Sequence, residues 1–189
     1  MPTQTGLITA EQFVEMHFEV PVELVRGEIV YLYGEDGMTR PGWKHGIVCV
    51  NVAAVLWQWA RPTRAGIVTS NDTGVITERD PDTLRGPDVF FVAAGKVPAG
   101  PAPKGVPEIT PDLCVEVLSP SDRWQRVRHK VMEYLDRGVS EVWVLDSEKH
   151  TVHIFRDDDS PSELKLGDTL MSPVLPGFEC RIDEFFEGA

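Results

Sequence analysis

The chain lacks any apolar run of the about 18 residues that a membrane-spanning helix needs, so no membrane partner is expected. Its first residues, Met1 to Leu7, hold no basic stretch followed by a long apolar one. No signal peptide is expected, and the reading is a cytoplasmic protein. Cysteine is scarce: Cys49, Cys114 and Cys180 lie far apart, each within apolar pattern. That excludes a disulfide frame or a zinc knuckle and predicts reduced, buried thiols. Basic charge is also short, with 18 Lys and Arg against 30 Asp and Glu, a net charge of −12 and a pI near 4.8. Such a chain does not coat nucleic acid by bulk attraction. An enzyme touching nucleic acid through a local basic patch remains open, and the acidity suits a carboxylate site for a cation. There is no internal repeat and no linker. The 189 residues, 42% of them hydrophobic, therefore predict one domain over 1–189 with a core about 9–185.

Thr9 and Gln12 form a capping-box pattern, which predicts a short helix with Phe13 and Met16 turned inward. Glu23 to Tyr33 reads as two strands around an Arg26-Gly27 turn, followed by a turn-rich loop over Gly34 to Gly42. From His45 to Ala60 the apolar residues Val48, Val52, Val55, Leu56 and Trp59 fall at helical spacing, and Pro62 closes that helix. Gly66 to Ser70, Gly74 to Thr77 and Asp88 to Val92 read as strands, and Lys96 to Pro111 as an ordered Pro/Gly-rich loop. Leu113 to Leu118 is nearly continuous apolar sequence, fit for a central strand covered on both faces. A helix is expected from Ser119-Pro120-Ser121-Asp122 to Arg137, with Gly138 as its stop. Glu141 to Leu145 and Thr151 to Arg156 read as neighbouring strands, and Asp157 to Pro161 as an acidic loop. A final strand or short helix buries Phe178, Ile182 and Phe185. Trp57, Trp59 and Phe185 supply apolar surface to either core or interface.

Charge stands where charge is costly in three places. Asp88 opens the apolar strand Val89-Phe90-Phe91-Val92. Glu116 lies inside a strand between Val115 and Val117, where a carboxylate needs a cation or a metal. A salt bridge would satisfy an isolated acid; two acids at the ends of adjacent strands favour a metal site. Lys130 lies at the margin of the helix stripe marked by Val127, Val131 and Tyr134, either reaching towards Glu116 or covering apolar surface. Asp112 shares a strand face with Glu116 but is about 13 Å away along it, too far to share one ion. It reads as a strand-opening turn residue. Arg123, Arg126, Arg128, His129, Lys130 and Arg137, with Trp124 among them, form either a phosphate-gripping face or a solvated one paired with Glu133 and Asp136.

Pro87-Asp88, Glu116-Val117-Leu118 and Lys130 on the following helix resemble the PD-(D/E)xK nuclease superfamily. A closer resemblance is to the Uma-two family of restriction-endonuclease-like proteins, over roughly residues 9 to 185. It is carried by Glu23-Leu-Val-Arg-Gly-Glu28, His45, Gly-Pro-Asp88-Val, Val-Glu116-Val-Leu-Ser-Pro-Ser-Asp122, Lys130 and Tyr134 to Asp146. Two positions depart from pattern: Leu118 stands where the superfamily has Lys, and Arg126 where an acid is expected four residues before Lys130. The resemblance implies an α/β (α+β) fold with a central mixed sheet flanked by helices. It implies Asp88 and Glu116 as ligands of Mg²⁺ or Mn²⁺, Lys130 as the third catalytic member and Glu23 as an extra acid near the site. Substrate-binding candidates are His45, Arg123, Arg126 and Arg128. DNA is the expected substrate and a homodimer the expected assembly. The competing readings are a catalytically idle member of the fold that binds DNA or protein, and a metal-dependent phosphohydrolase of small nucleotides.

Overall fold

The structure is a computed structural model and describes residues 6–32, 42–71, 73–101, 105–119, 122–157 and 160–189. The loop expected over Gly34 to Gly42 lies almost wholly outside them, as do residues 158 and 159 of the acidic loop.

Helix α1 (Ala10–Val14) starts at the expected capping box. The Thr9 side chain accepts from the Gln12 N–H, and Gln12 accepts from the Thr9 N–H. Phe13 is buried, whereas Met16 is exposed, because the helix ends before it and the chain turns outward. Strands β1 (Val22–Val25) and β2 (Glu28–Tyr31) form a hairpin. Arg26 and Gly27 at its tip both have positive φ, 50° and 76°, the geometry of a tight two-residue turn. With β4 (Val75–Glu78) and β5 (Thr83–Arg85) they form an antiparallel sheet in the order β2-β1-β5-β4.

Helix α2 (Trp43–Thr63) buries Val48, Val52, Leu56 and Ala60, one residue per turn on a single stripe. Pro62 does not stop it: the helix runs one residue further and ends at Arg64, whose left-handed φ of 52° allows the closing Ala65 N–H to Ala60 carbonyl bond. Strands β3 (Gly66–Ser70), β6 (Val89–Ala93), β7 (Leu113–Leu118), β8 (Glu141–Asp146), β9 (Thr151–Phe155) and β10 (Ser162–Lys165) build the main sheet, in the order β10-β9-β8-β7-β6-β3. The β7–β8 pair is parallel and the others antiparallel, so the sheet is mixed, as expected. Helix α3 (Trp124–Asp136) makes the crossover between the two parallel strands. It begins two residues after Asp122, which folds back to accept from the Ser119 N–H and hydroxyl. Gly138, at φ 95°, follows its end. A small ribbon, β11 (Thr169–Met171) with β12 (Glu179–Arg181), leads into α4 (Ile182–Phe185).

Strand alternation gives the main sheet two apolar faces. Val115 and Val117 point with Val89, Phe91 and Trp143 towards α2 and the C-terminal segment, where Phe178, Ile182 and Phe185 are buried. Phe90, Cys114, Val142 and Val144 point towards α3, against Val127, Val131 and Tyr134. A third cluster, with Ile8, Phe13, Leu24, Ile76 and Leu84, joins α1 to the smaller sheet. Phe185 is core, Trp59 packs edge-on to Phe91 and Phe178, and only Trp57 stays half exposed, with the Arg61 guanidinium 4.7 Å above its ring. Among the described residues no helix is long and apolar enough to cross a membrane.

Candidate active site

The register of the main sheet decides where the acids meet. Val89 pairs with Val115 across antiparallel β6 and β7, so one step further Asp88 stands opposite Glu116. The Val117 N–H donates to Asp88 Oδ2 at 2.7 Å, fixing that carboxylate at the sheet end. Glu116 falls on the face covered by α3, from which two side chains reach it. Tyr134 donates its hydroxyl to Glu116 Oε1 at 2.7 Å, and Lys130 Nζ stands 3.4 Å from Oε2. The periodicity of α3 explains the pairing, since Lys130 and Tyr134 are one turn apart on one face.

Glu23 arrives from β1 of the smaller sheet and is buried. Its Oε1 lies 2.9 Å from Lys130 Nζ, and its Oε2 accepts from Arg85 at 2.7 Å. Arg85 then makes a two-pronged bond to Glu133, at 2.6 and 2.7 Å. His45, in the first turns of α2, approaches from the other side: its Nε2 lies 3.3 Å from Asp88 Oδ1. Asp88, Glu116, Lys130, Glu23, Arg85 and His45 line one open cleft of about 510 Å³, together with Arg126 and His129, while Tyr134 lies buried behind it.

Asp88, Glu116, Lys130, Glu23 and His45 are thus brought together. Arg126 also faces the cleft, one turn before Lys130. Arg123 and Arg128 do not line it. Arg128, two residues before Lys130, lies on the opposite side of the helix, and Arg123 precedes the first turn. Arg137 is also engaged elsewhere, donating to the Ile76 carbonyl. Asp112 is structural, accepting from the Ala93 N–H and pairing with Lys96. The position of the acid expected before Lys130 is taken by Arg126; the carboxylate partner of that lysine comes instead from Glu23. Sequence reasoning missed Tyr134 as more than a core residue, and Arg85, whose place two residues before Pro87-Asp88 was a usable signal. It also missed the outlook of Cys49, which is half-buried beside His45 rather than sealed in the core.

The electrostatics favour a divalent cation. Asp88, Glu116, Glu23 and Glu133 are four carboxylates against three permanent cations, Lys130 and Arg85 among them and Arg126 on the cleft wall. Burial pushes the Glu116 carboxyl up to about 7; Lys130 and the Tyr134 hydroxyl pull against this, and the Asp88 and Glu23 carboxylates add to it. Burial also opposes the charge on Lys130, but the Glu116 and Glu23 carboxylates more than offset it and hold the ammonium above its ordinary value. Burial would raise Glu23, yet Lys130 and Arg85 keep it below the usual carboxylate value. Among the described residues, the oxygens left for an ion, Asp88 Oδ1 and Glu116 Oε2, make long contacts of 3.3 and 3.4 Å. Hard oxygen donors with spare lone pairs, in a cluster short of positive charge, fit a divalent ion that keeps part of its water.

Comparison with known proteins bears on what this arrangement is. A family model described as "Uma2: Putative restriction endonuclease" matches residues 10–183. The chain belongs to the Uma2 family. A crystal structure described as "a putative nuclease belonging to DUF820 from Anabaena variabilis" superposes with a TM-score of 0.77 at 19% identity, covering 95% of this chain and 98% of that one. At that identity the likeness speaks for the fold of this Uma2 protein. No curated protein matches it.

Proposed function

We propose that this Uma2 protein is a Mg²⁺-dependent endonuclease hydrolysing DNA phosphodiester bonds, with Mn²⁺ as an alternative ion. In this reading it acts in the cytoplasm as a homodimer. The observation that carries the proposal is the meeting of Asp88 and Glu116 across β6 and β7 with Lys130 beside them.

Asp88 and Glu116 would hold the ion, which when bound polarises a phosphoryl oxygen and lowers the pKa of a bound water. Asp88 is pre-set by the Val117 N–H and Glu116 by the Tyr134 hydroxyl, so little ordering is left for binding. Lys130, flanked by two carboxylates, stays an ammonium. Its role is to donate to the attacking water or the phosphoryl oxygens as negative charge develops, rather than to remove a proton. Glu23 positions Lys130 and is itself fixed by Arg85. Arg126 meets the phosphate backbone from the cleft wall.

The test is cleavage of supercoiled, linear and single-stranded DNA with Mg²⁺ or Mn²⁺. Asp88→Asn and Glu116→Gln are each expected to lower the rate at least about 100-fold, and Lys130→Met by a similar factor. Cutting by both carboxylate variants at the wild-type rate would sink this assignment. Hydrolysis of free nucleotides with DNA left intact would move the substrate to that smaller class.

A further inference from the structure

Asp88 also has two neighbours on α2 to which the cleavage chemistry of Asp88, Glu116 and Lys130 gives no step. His45 and Cys49 are four residues apart on α2 and present their side chains on one face. Cys49 Sγ lies 3.5 Å from His45 Nδ1 and 3.9 Å from Nε2, and Nε2 lies 3.3 Å from Asp88 Oδ1. A nitrogen, a sulfur and an oxygen from these three residues all fall within 4.8 Å of one another. All three residues line an open cavity of about 580 Å³ between α2 and β3.

We propose that His45, Cys49 and Asp88 form a binding site for Zn²⁺, distinct in chemistry from the oxygen site of Asp88 and Glu116. Metal–nitrogen and metal–sulfur bonds of about 2.0 and 2.3 Å at a tetrahedral angle place neighbouring ligand atoms about 3.3 to 3.6 Å apart. The 3.3 Å from Nε2 to Asp88 Oδ1 already matches this, whereas Cys49 Sγ, 3.9 Å from Nε2 and within 4.8 Å of the carboxylate oxygen, must move inward to complete it. The donor set selects the ion, since imidazole and thiolate suit Zn²⁺ and are poor ligands for Mg²⁺. Three protein ligands leave the fourth position to water or another small donor. Zn²⁺ takes the sulfur as thiolate, so binding releases the thiol proton. Two of the ligands share a helix of 21 residues and the third is fixed by a backbone hydrogen bond, so the site is held on regular structure.

The site has a consequence that rests on the nuclease reading. Asp88 Oδ2 is engaged by the Val117 N–H, which leaves Oδ1 for a cation. Zn²⁺ between His45 and Cys49 draws that oxygen towards α2, so it competes with Mg²⁺ and inhibits cleavage.

Co²⁺ titration of the full chain tests the site, because thiolate-bound Co²⁺ has a charge-transfer absorption in the near ultraviolet. One equivalent of Co²⁺ is expected to produce that band and Zn²⁺ to abolish it. Cys49→Ser should remove the band, and Cys49→Ser and His45→Ala should each weaken Zn²⁺ roughly 100-fold by loss of one of three protein ligands. Cys114 and Cys180 are buried and should not substitute for Cys49. Absence of the band in the wild type, or its survival in Cys49→Ser, overturns the proposal; circular dichroism checks that the variants fold. Glu116→Gln separates the two readings. It should keep the Co²⁺ band and lose the heat of Mn²⁺ binding. Retention of the Mn²⁺ heat would count against the nuclease site and leave the zinc site standing.

Discussion

Glu116 is the residue where burial and function conflict most. The carboxyl lies in an apolar strand with its proton held to about 7, mainly by burial. In metal-free protein, NMR of labelled Glu should therefore show one carboxyl titrating near 7, absent in Glu116→Gln. A raised acid keeps its proton below that pH, and a hard cation must displace it. Mn²⁺ affinity is thus expected to fall about tenfold per pH unit below 7 and to level off above it. Calorimetry at several pH values checks this; an affinity flat from pH 5 to 8 would remove Glu116 from the ion. Tyr134 moderates the conflict through its 2.7 Å bond. Tyr134→Phe keeps the ring but leaves Glu116 Oε1 without its donor, so the titration should move further up and stability drop by about 1–3 kcal/mol in urea unfolding. Asp88, Glu116 and Lys130 were legible because a charge inside or beside an apolar pattern demands an explanation, whereas Glu23 entered only through the family resemblance. The Tyr134 contact was not, because a tyrosine on a helix's buried stripe is indistinguishable in sequence from ordinary core.

At the scale of elements, the site depends on how the smaller sheet is joined to α3. Arg85 on β5 holds Glu23 of β1 with one nitrogen and Glu133 of α3 with two. Its side chain is only 8% exposed and that of Glu23 only 3%. Arg85→Ala leaves the buried Glu23 carboxylate with Lys130 and a long 3.4 Å bond from the Gly86 N–H, and is expected to cost about 3–5 kcal/mol, read as a lower urea midpoint. Arg85→Lys should recover only part of the loss, because an ammonium cannot reproduce the forked bond. Equal stability of wild type and Arg85→Ala would show that the join does not hold the sheet. The strands β5, β10 and β11 escaped sequence reasoning. Thr83-Leu84-Arg85 is too short to show alternation, and Ser162-Glu163-Leu164-Lys165 is an exposed edge with one partly buried residue. Their pairing partners, not their own composition, make them strands. By contrast, α2, β7, β8 and the β1–β2 turn were plain, because each buries a full stripe or face or requires a special turn geometry.

For the whole molecule, the net charge of −12 constrains any contact with DNA. The sum of charges repels a polyanion, so the contact must be local. The sequence alone left open whether the basic residues of α3 form one face. The helix divides them, with Arg126, His129 and Lys130 on the cleft and Arg123 and Arg128 off it. Lys130 is also committed to Glu23 and Glu116, and Arg85 to Glu23 and Glu133, which leaves few positive charges to displace counterions. Each phosphate neutralised contributes about −0.9 to the slope of log affinity against log salt. With Arg126 as the main exposed cation of the cleft, the slope should be only about −1 to −2 for each bound chain. Arg126→Ala should make it shallower by about one, while Arg128→Ala should leave it unchanged. Fluorescence anisotropy with a labelled duplex, in Ca²⁺ to hold cleavage back, gives these slopes. A slope near −6, or one that changes with Arg128 and not with Arg126, would place the DNA on another face and detach it from Asp88 and Glu116. A shallow slope governed by Arg126 would tie the duplex to the cleft where the two acids meet, with specificity left to contacts other than bulk charge.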